Sequence, residues 1–176
     1  MKALIVVASR HGATSGIADA LAEELRRHGH TADVAAATDA PALATYDAVI
    51  IGSAVYIGQW LKEARQFIQR NQQALLKLPV WLFSSGPVGP TTPEAKDDPP
   101  AIAQLMKQVG GRGHRTFLGK LDPAHLGVGE RFIMWNVKRL APDAARDGDF
   151  RDWEAIRVWA DEIAAALPAY AVGIAP

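Results

Sequence analysis

Cysteine is absent from the 176-residue chain. Without a thiol there is no disulfide framework, no thiolate metal site and no cysteine nucleophile, so redox chemistry would require a bound cofactor. Net charge is absent as well: 19 basic and 19 acidic side chains cancel. That balance removes the general electrostatic case for nucleic acid, and no nucleic-acid partner is expected. No stretch approaches the roughly 20 apolar residues that span a bilayer. The apolar run after Lys2 ends in a turn after about six residues, too short for a signal-peptide core, and the chain is read as cytoplasmic. A metal site is not expected either. Glu94, Asp97 and Asp98 lie in a proline-rich loop, and His114 and His125 lack ligand spacing.

What is present reads as one compact domain over residues 1–176, with 49% hydrophobic and 22% charged residues. Ala3 to Val7 is a β-branched run without alternation, the pattern of a strand buried on both faces of a parallel sheet. Ile17, Leu21 and Leu25, beside Ala18 and Ala22, mark a helix that "RRHGH" stops. A weaker strand covers Ala32 to Ala37 and a strong one Tyr46 to Ser53, with no helix or a very short one between them. A helix from about Leu61 to Leu75 has Leu61, Ala64, Phe67 and Ile68 on one face. "PVWLFSS", opened by Pro79, is a fourth strand. After the loop "GPVGPTTPEAKDDPP", Ile102, Leu105, Met106 and Val109 mark a third helix. Arg115 to Leu121 reads as strand five, and a terminal helix turns Ile156, Ala160, Ile163 and Leu167 inward. The expected fold is α/β: a three-layer doubly wound parallel five-stranded sheet, order 2-1-3-4-5, with an insert before the last helix.

Such sheets bind ligands beyond the carboxyl ends of the strands, where the strand order reverses. The turn "SRHGAT" stands there, between the first strand and its helix. Its unpaired amides face the positive end of a helix dipole, Ser9 and Thr14 add hydroxyls, and Gly12 lets the backbone approach closely, so it can wrap a phosphate. It lacks both the G-x-G-x-x-G and the G-x-x-x-x-G-K-[ST] patterns, so neither NAD nor ATP is indicated. A plain helix start would use the same residues, with Thr14 or Ser15 as N-cap. Two further loops, "GSAVYIGQW" and "SSGPVGP", would converge on the same rim.

These residues resemble the flavodoxin fold, whose phosphate loop follows (S/T)-x-(S/T)-G-x-T. Ser9, Gly12 and Thr14 match it; His11 stands where that family usually has a hydroxyl. The likeness sharpens to the flavodoxin-type menaquinone-dependent protoporphyrinogen dehydrogenases through "SRHGAT", "YDAVIIGSAVYIGQW" and the late "ERFIMWNVKRLAPD". The resemblance implies FMN as cofactor. Ser9, Arg10, His11, Gly12, Ala13 and Thr14 would hold its phosphate. Ser53, Ala54, Val55, Tyr56, Ile57 and Gly58, with Ser84, Ser85, Gly86, Pro87, Val88 and Gly89, would flank its ring. No residue is assigned a catalytic role, because flavin carries the electrons. Tyr56 is the aromatic expected against the flavin, whereas Trp60, Trp81, Trp153 and Trp159 are expected to pack.

The insert between strand five and the last helix, about 30 residues long, exceeds the usual connection. From Arg112 to Arg139, six basic residues against two acids leave four positive charges. Phe132, Ile133, Trp135, Val137 and Leu140 seek burial. The segment is either a helix packed on the sheet or a surface for a flat, apolar, anionic partner. A porphyrinogen fits that description, as does peripheral contact of residues 127–140 with the inner face of the cell membrane. The small-molecule substrate implied is a porphyrinogen or a quinone. A flavodoxin-type electron carrier and an FMN-dependent NAD(P)H:quinone reductase are the rival functions.

Overall fold

The computed structural model describes residues 1–56, 58–86, 100–121 and 148–167. In chain order these form β1 (Lys2–Ala8), α1 (Ala13–Arg27), β2 (Thr31–Ala36), a 3₁₀ turn (Leu43–Thr45), β3 (Ala48–Tyr56), β4 (Gln59–Trp60) and α2 (Lys62–Leu75). They continue with β5 (Val80–Ser85), α3 (Pro100–Val109), β6 (Gly113–Phe117), β7 (Lys120–Leu121), β8 (Gly148–Asp149) and α4 (Trp153–Ala166).

The five long strands are parallel in the order β2-β1-β3-β5-β6, which is 2-1-3-4-5 counted over those strands alone. Val6, Ile50, Ile51 and Leu82 have no exposed surface, as strands covered on both faces must. One face is covered by α1 and α4: Ile17, Leu21 and Leu25 pack with Ile156, Trp159 and Ile163 against Ile5 and Ile50. The other is covered by α2 and α3, where Phe67, Ile68, Ile102 and Leu105 meet Leu4, Val49 and Leu82. These are the three layers expected. An edge-to-face triangle of Phe83, Phe117 and Trp159, with centroids 5.6–6.2 Å apart, ties β5 and β6 to α4.

Several boundaries depart from the sequence reading. The strand expected over Arg115 to Leu121 is two: β6 stops at Phe117, and Lys120–Leu121 leaves the sheet to pair antiparallel with Gly148–Asp149. That ladder joins the two ends of the insert. β3 runs three residues past Ser53 and turns back through β4. The connection between β2 and β3 holds one 3₁₀ turn. The loop over 87–99 and the insert over 122–147, including the 127–140 segment, lie outside the described residues. Among the described residues no helix is long and apolar enough to cross a membrane.

Candidate functional site

The parallel registers bring the strand ends to one rim. Ala8 stands beside Ser53, Ser53 beside Ser84, and Ser84 beside Thr116. The loops after β1, β3 and β5 therefore leave the sheet side by side at the point where the strand order reverses.

The first loop is shaped by Gly12, whose φ of 77° is left-handed and which stands as the N-cap of α1 without a side-chain cap. The alternative of Thr14 or Ser15 as N-cap is thereby corrected, because helical geometry begins already at Ala13. Ser9 Oγ accepts from the Gly12 amide at 3.1 Å, and the Gly16 amide donates to the Gly12 carbonyl at 3.0 Å. The amides of Ala13, Thr14 and Ser15 have no acceptor among the described residues. Thr14 is 1% exposed, and its hydroxyl makes no hydrogen bond to another described residue. Three unpaired donors and a hydroxyl at the positive end of a helix fit a phosphate, and a Cβ added at Gly12 would meet no atom within 4 Å. His11 is half-buried in the same loop. Arg10 reaches across, its Cζ 5.0 Å from the centroid of the Tyr56 ring, and so links the first loop to the second.

The second loop is the turn of the β3–β4 hairpin, with Val55 paired to Trp60, Tyr56 to Gln59, and Gly58 at φ 71°. Tyr56 is 36% exposed at its edge. The serines below the two ring loops are occupied within the protein. Ser53 Oγ donates to the Ala54 carbonyl (2.9 Å) and accepts from the Leu61 amide (3.0 Å). Ser84 Oγ accepts from Trp60 Nε1 at 2.8 Å and lies 2.9 Å from His114 Nε2. Trp60 is buried, and its indole clamps the end of β4 to β5. In the third loop, Ser85 is buried and Gly86, at φ 117°, donates its amide to the Phe117 carbonyl. Ala54 and Val55 are half-buried near the rim; Ile57, Pro87, Val88 and Gly89 lie outside the described residues. A groove of about 420 Å³ begins at Gln59 and Trp60 and runs between α2 and α3 past Arg65, Gln69, Gln104 and Gln108.

Two residues near this rim escape sequence reasoning. His114 is drawn in by its bond to Ser84, for which the local pattern holds no signal. Arg151, just past β8, forks onto Asp149 with Nε–Oδ1 at 2.8 Å and Nη2–Oδ2 at 2.5 Å, and holds that carboxyl below the usual range. Its guanidinium stands 4.3 Å from the Trp153 ring centroid and donates from Nη1 to the Ala13 carbonyl at 3.4 Å, inside the first loop's helix start. It fills the place that a Cβ on Gly16 would need. Gly16 is the signal that was available, since glycine in a helix costs about 1 kcal/mol against alanine and marks a close approach.

Comparison with known proteins agrees with this geometry. The chain is 28% identical over 174 residues to protoporphyrinogen IX dehydrogenase [quinone] of Escherichia coli K12, covering 93% of this chain and 95% of that protein. Among solved structures it is similar to a flavodoxin from the domain Archaea, with TM-score 0.60, 18% identity, and coverage of 94% of this chain and 98% of that one. It is also similar to oxidised Flavodoxin 1 from Bacillus cereus, with TM-score 0.59, 15% identity, and coverage of 96% and 100%. The model of the flavodoxin domain matches residues 4–146, from β1 to within two residues of β8. The chain belongs to the flavodoxin-domain family.

Proposed function

We propose that this protein is an FMN-dependent oxidoreductase that withdraws hydrogen from a porphyrinogen and passes it to a quinone. The observation that carries the cofactor is the first loop: three amides without an acceptor among the described residues, the Thr14 hydroxyl and a left-handed Gly12 at the helix start. Ser9, Arg10, His11, Gly12, Ala13 and Thr14 would hold the phosphate. Ser53 to Gly58 and Ser84 to Gly89 would flank the ring, with Tyr56 as its aromatic neighbour. Bound there, FMN supplies the two-electron redox chemistry that a cysteine-free chain lacks.

The protein's own share is to orient and to exclude. Ser53 and Ser84, tied to the Leu61 amide and to Trp60, hold the two ring loops at fixed height over the strand ends. Arg10 over Tyr56 draws the first and second loops together. The groove beginning at Trp60 gives a large substrate an apolar and amide-lined flank, in which Arg65 is the cation for a carboxylate. The basic, aromatic 127–140 segment is assigned to the substrate or to a membrane surface. The name of the Escherichia coli relative supports the porphyrinogen and the quinone. The cancelling charge of the chain disfavours a carrier that docks electrostatically on partner proteins.

The test begins with the visible spectrum of the purified protein with and without added FMN. The flavoprotein is then mixed anaerobically with protoporphyrinogen and a menaquinone analogue while porphyrin fluorescence is followed. Porphyrin formation above the uncatalysed rate supports the reading. No acceleration, together with ready reduction of a partner protein, replaces it with an electron carrier. Bleaching by NADPH replaces it with a nicotinamide-driven reductase.

A further inference from the structure

The Ala13 carbonyl, to which Arg151 donates, belongs to the same peptide plane as the Thr14 amide. That amide is one of the three unpaired donors of the first loop. A hydrogen bond to the carbonyl end of a peptide plane fixes its rotation and polarises its N–H, strengthening the donor at the other end. Arg151 is well placed to act this way. Its side chain is 12% exposed, its charge is matched by the Asp149 fork, and the Trp153 ring backs it. Being neutralised, it is not a direct anion ligand; what it contributes is geometry. Gly16 is the matching concession on α1, giving up helix propensity so that the guanidinium can reach Ala13.

We propose that Arg151 is a positioning residue for the phosphate cradle, holding the Ala13–Thr14 peptide plane in its donating orientation. Asp149 lies in β8, whose partner is β7. The affinity of the first loop for an anion is therefore set in part by the ladder that joins the ends of the insert, far along the chain. The inference rests on FMN as the ligand, and it separates phosphate binding from ring binding, because among the described residues of the three loops Arg151 bonds only to the first.

The experiment is a pair of fluorescence titrations on the full chain, one with FMN and one with riboflavin, which lacks the phosphate. Arg151→Gln should weaken FMN several-fold, because the Thr14 amide loses its fixed orientation rather than the phosphate a direct ligand, and leave riboflavin within about twofold. Arg151→Lys, which keeps the charge and loses the fork, should fall between wild type and Arg151→Gln. Thermal melts of each variant establish folding, with Arg151→Lys serving if Arg151→Gln does not fold. Equal weakening of both flavins, or no change in FMN, overturns the proposal while leaving the cofactor reading intact. A wild-type chain that takes up neither flavin overturns the cofactor reading and this inference together. Hydrogen exchange without flavin gives an independent readout: the Gly16 and Ile17 amides should exchange several-fold faster in Arg151→Gln, and unchanged rates overturn the tether itself.

Discussion

Gly12 and Gly29 form a matched pair at opposite ends of α1. Their φ angles are 77° and 79°, and a Cβ added to either meets no atom within 4 Å. Alanine at either position therefore costs backbone strain without a clash. The left-handed region costs an L-residue roughly 1–2 kcal/mol, offset in part by about 0.4–1 kcal/mol from the stiffer unfolded chain. The net is about 1 kcal/mol at each site, a fall of about 2–4 °C in Tm for a chain of this size. Gly29 sits in a helix-stop turn in which the His30 amide donates to the Leu25 carbonyl at 3.1 Å, remote from the rim. Gly12 stands at the head of the three amides that lack an acceptor among the described residues, and on the proposed cofactor reading a methyl there would crowd the phosphate. Losing even one such charge-assisted bond costs about 1.5–3 kcal/mol, tenfold or more in Kd. Differential scanning fluorimetry and FMN quenching titrations on Gly12→Ala and Gly29→Ala decide the matter. Equal small losses of Tm are expected, with loss of FMN affinity in Gly12→Ala alone. Equal effects of both variants on FMN, or none in either, refute the assignment of the first loop as the cradle.

Other perturbations test the frame that holds the rim. Gly52→Ala would drive its methyl into the fully buried Phe83 ring; a loss of about 1–3 kcal/mol or more in urea melts is expected, with partial recovery in Gly52→Ala/Phe83→Leu. Ser84→Ala strands the Trp60 indole N–H, buried at 2% exposure, and should cost about 1–3 kcal/mol. Adding Trp60→Phe to it should cost less than the two singles summed. The Asp33 carboxyl is held below its usual range by the Tyr46 hydroxyl and the Lys2 ammonium. Its stabilisation is complete above about pH 4 and lost as pH falls further, so Asp33→Asn should flatten the acid limb of Tm against pH. Burial, with the N-terminal charge adding to it, pushes His30 down, and its Nδ1 is a buried atom without a partner among the described residues. The neutral ring stabilises the fold above about pH 6.5, and that contribution declines as pH drops; His30→Phe should lack this limb.

The layers were legible because burial writes itself into local pattern. Ala3 to Val7 has no polar gap, and the four-residue spacing of Ile17, Leu21 and Leu25 declares the face that meets the sheet. Pairing between distant segments leaves no such trace. Arg115 to Leu121 reads as one strand by composition, yet Lys120 takes its partner from Asp149, and nothing near Lys120 announces that exchange. The hairpin through Gln59–Trp60 is too short to have a period. At the rim, glycine and hydroxyls before a helix marked the first loop as a candidate, a pattern that an ordinary helix cap shares, and its place beside two further strand ends came from the expected strand order. The wiring beneath it was hidden, because the engagements of Ser84 with Trp60 and His114, and of Arg151 with Ala13, depend on how the sheet brings separate stretches together.

The antiparallel pairing of Leu121 with Gly148 brings together the two points between which residues 122–147 are strung. Neighbouring strands run about 4.8 Å apart, so the two ends of that stretch stand within one strand spacing. A tight two-residue turn closes that gap as well as a long excursion does. Sequence between those two points is thus free to lengthen, shorten or be exchanged over evolutionary time while the parallel strands keep their alignment.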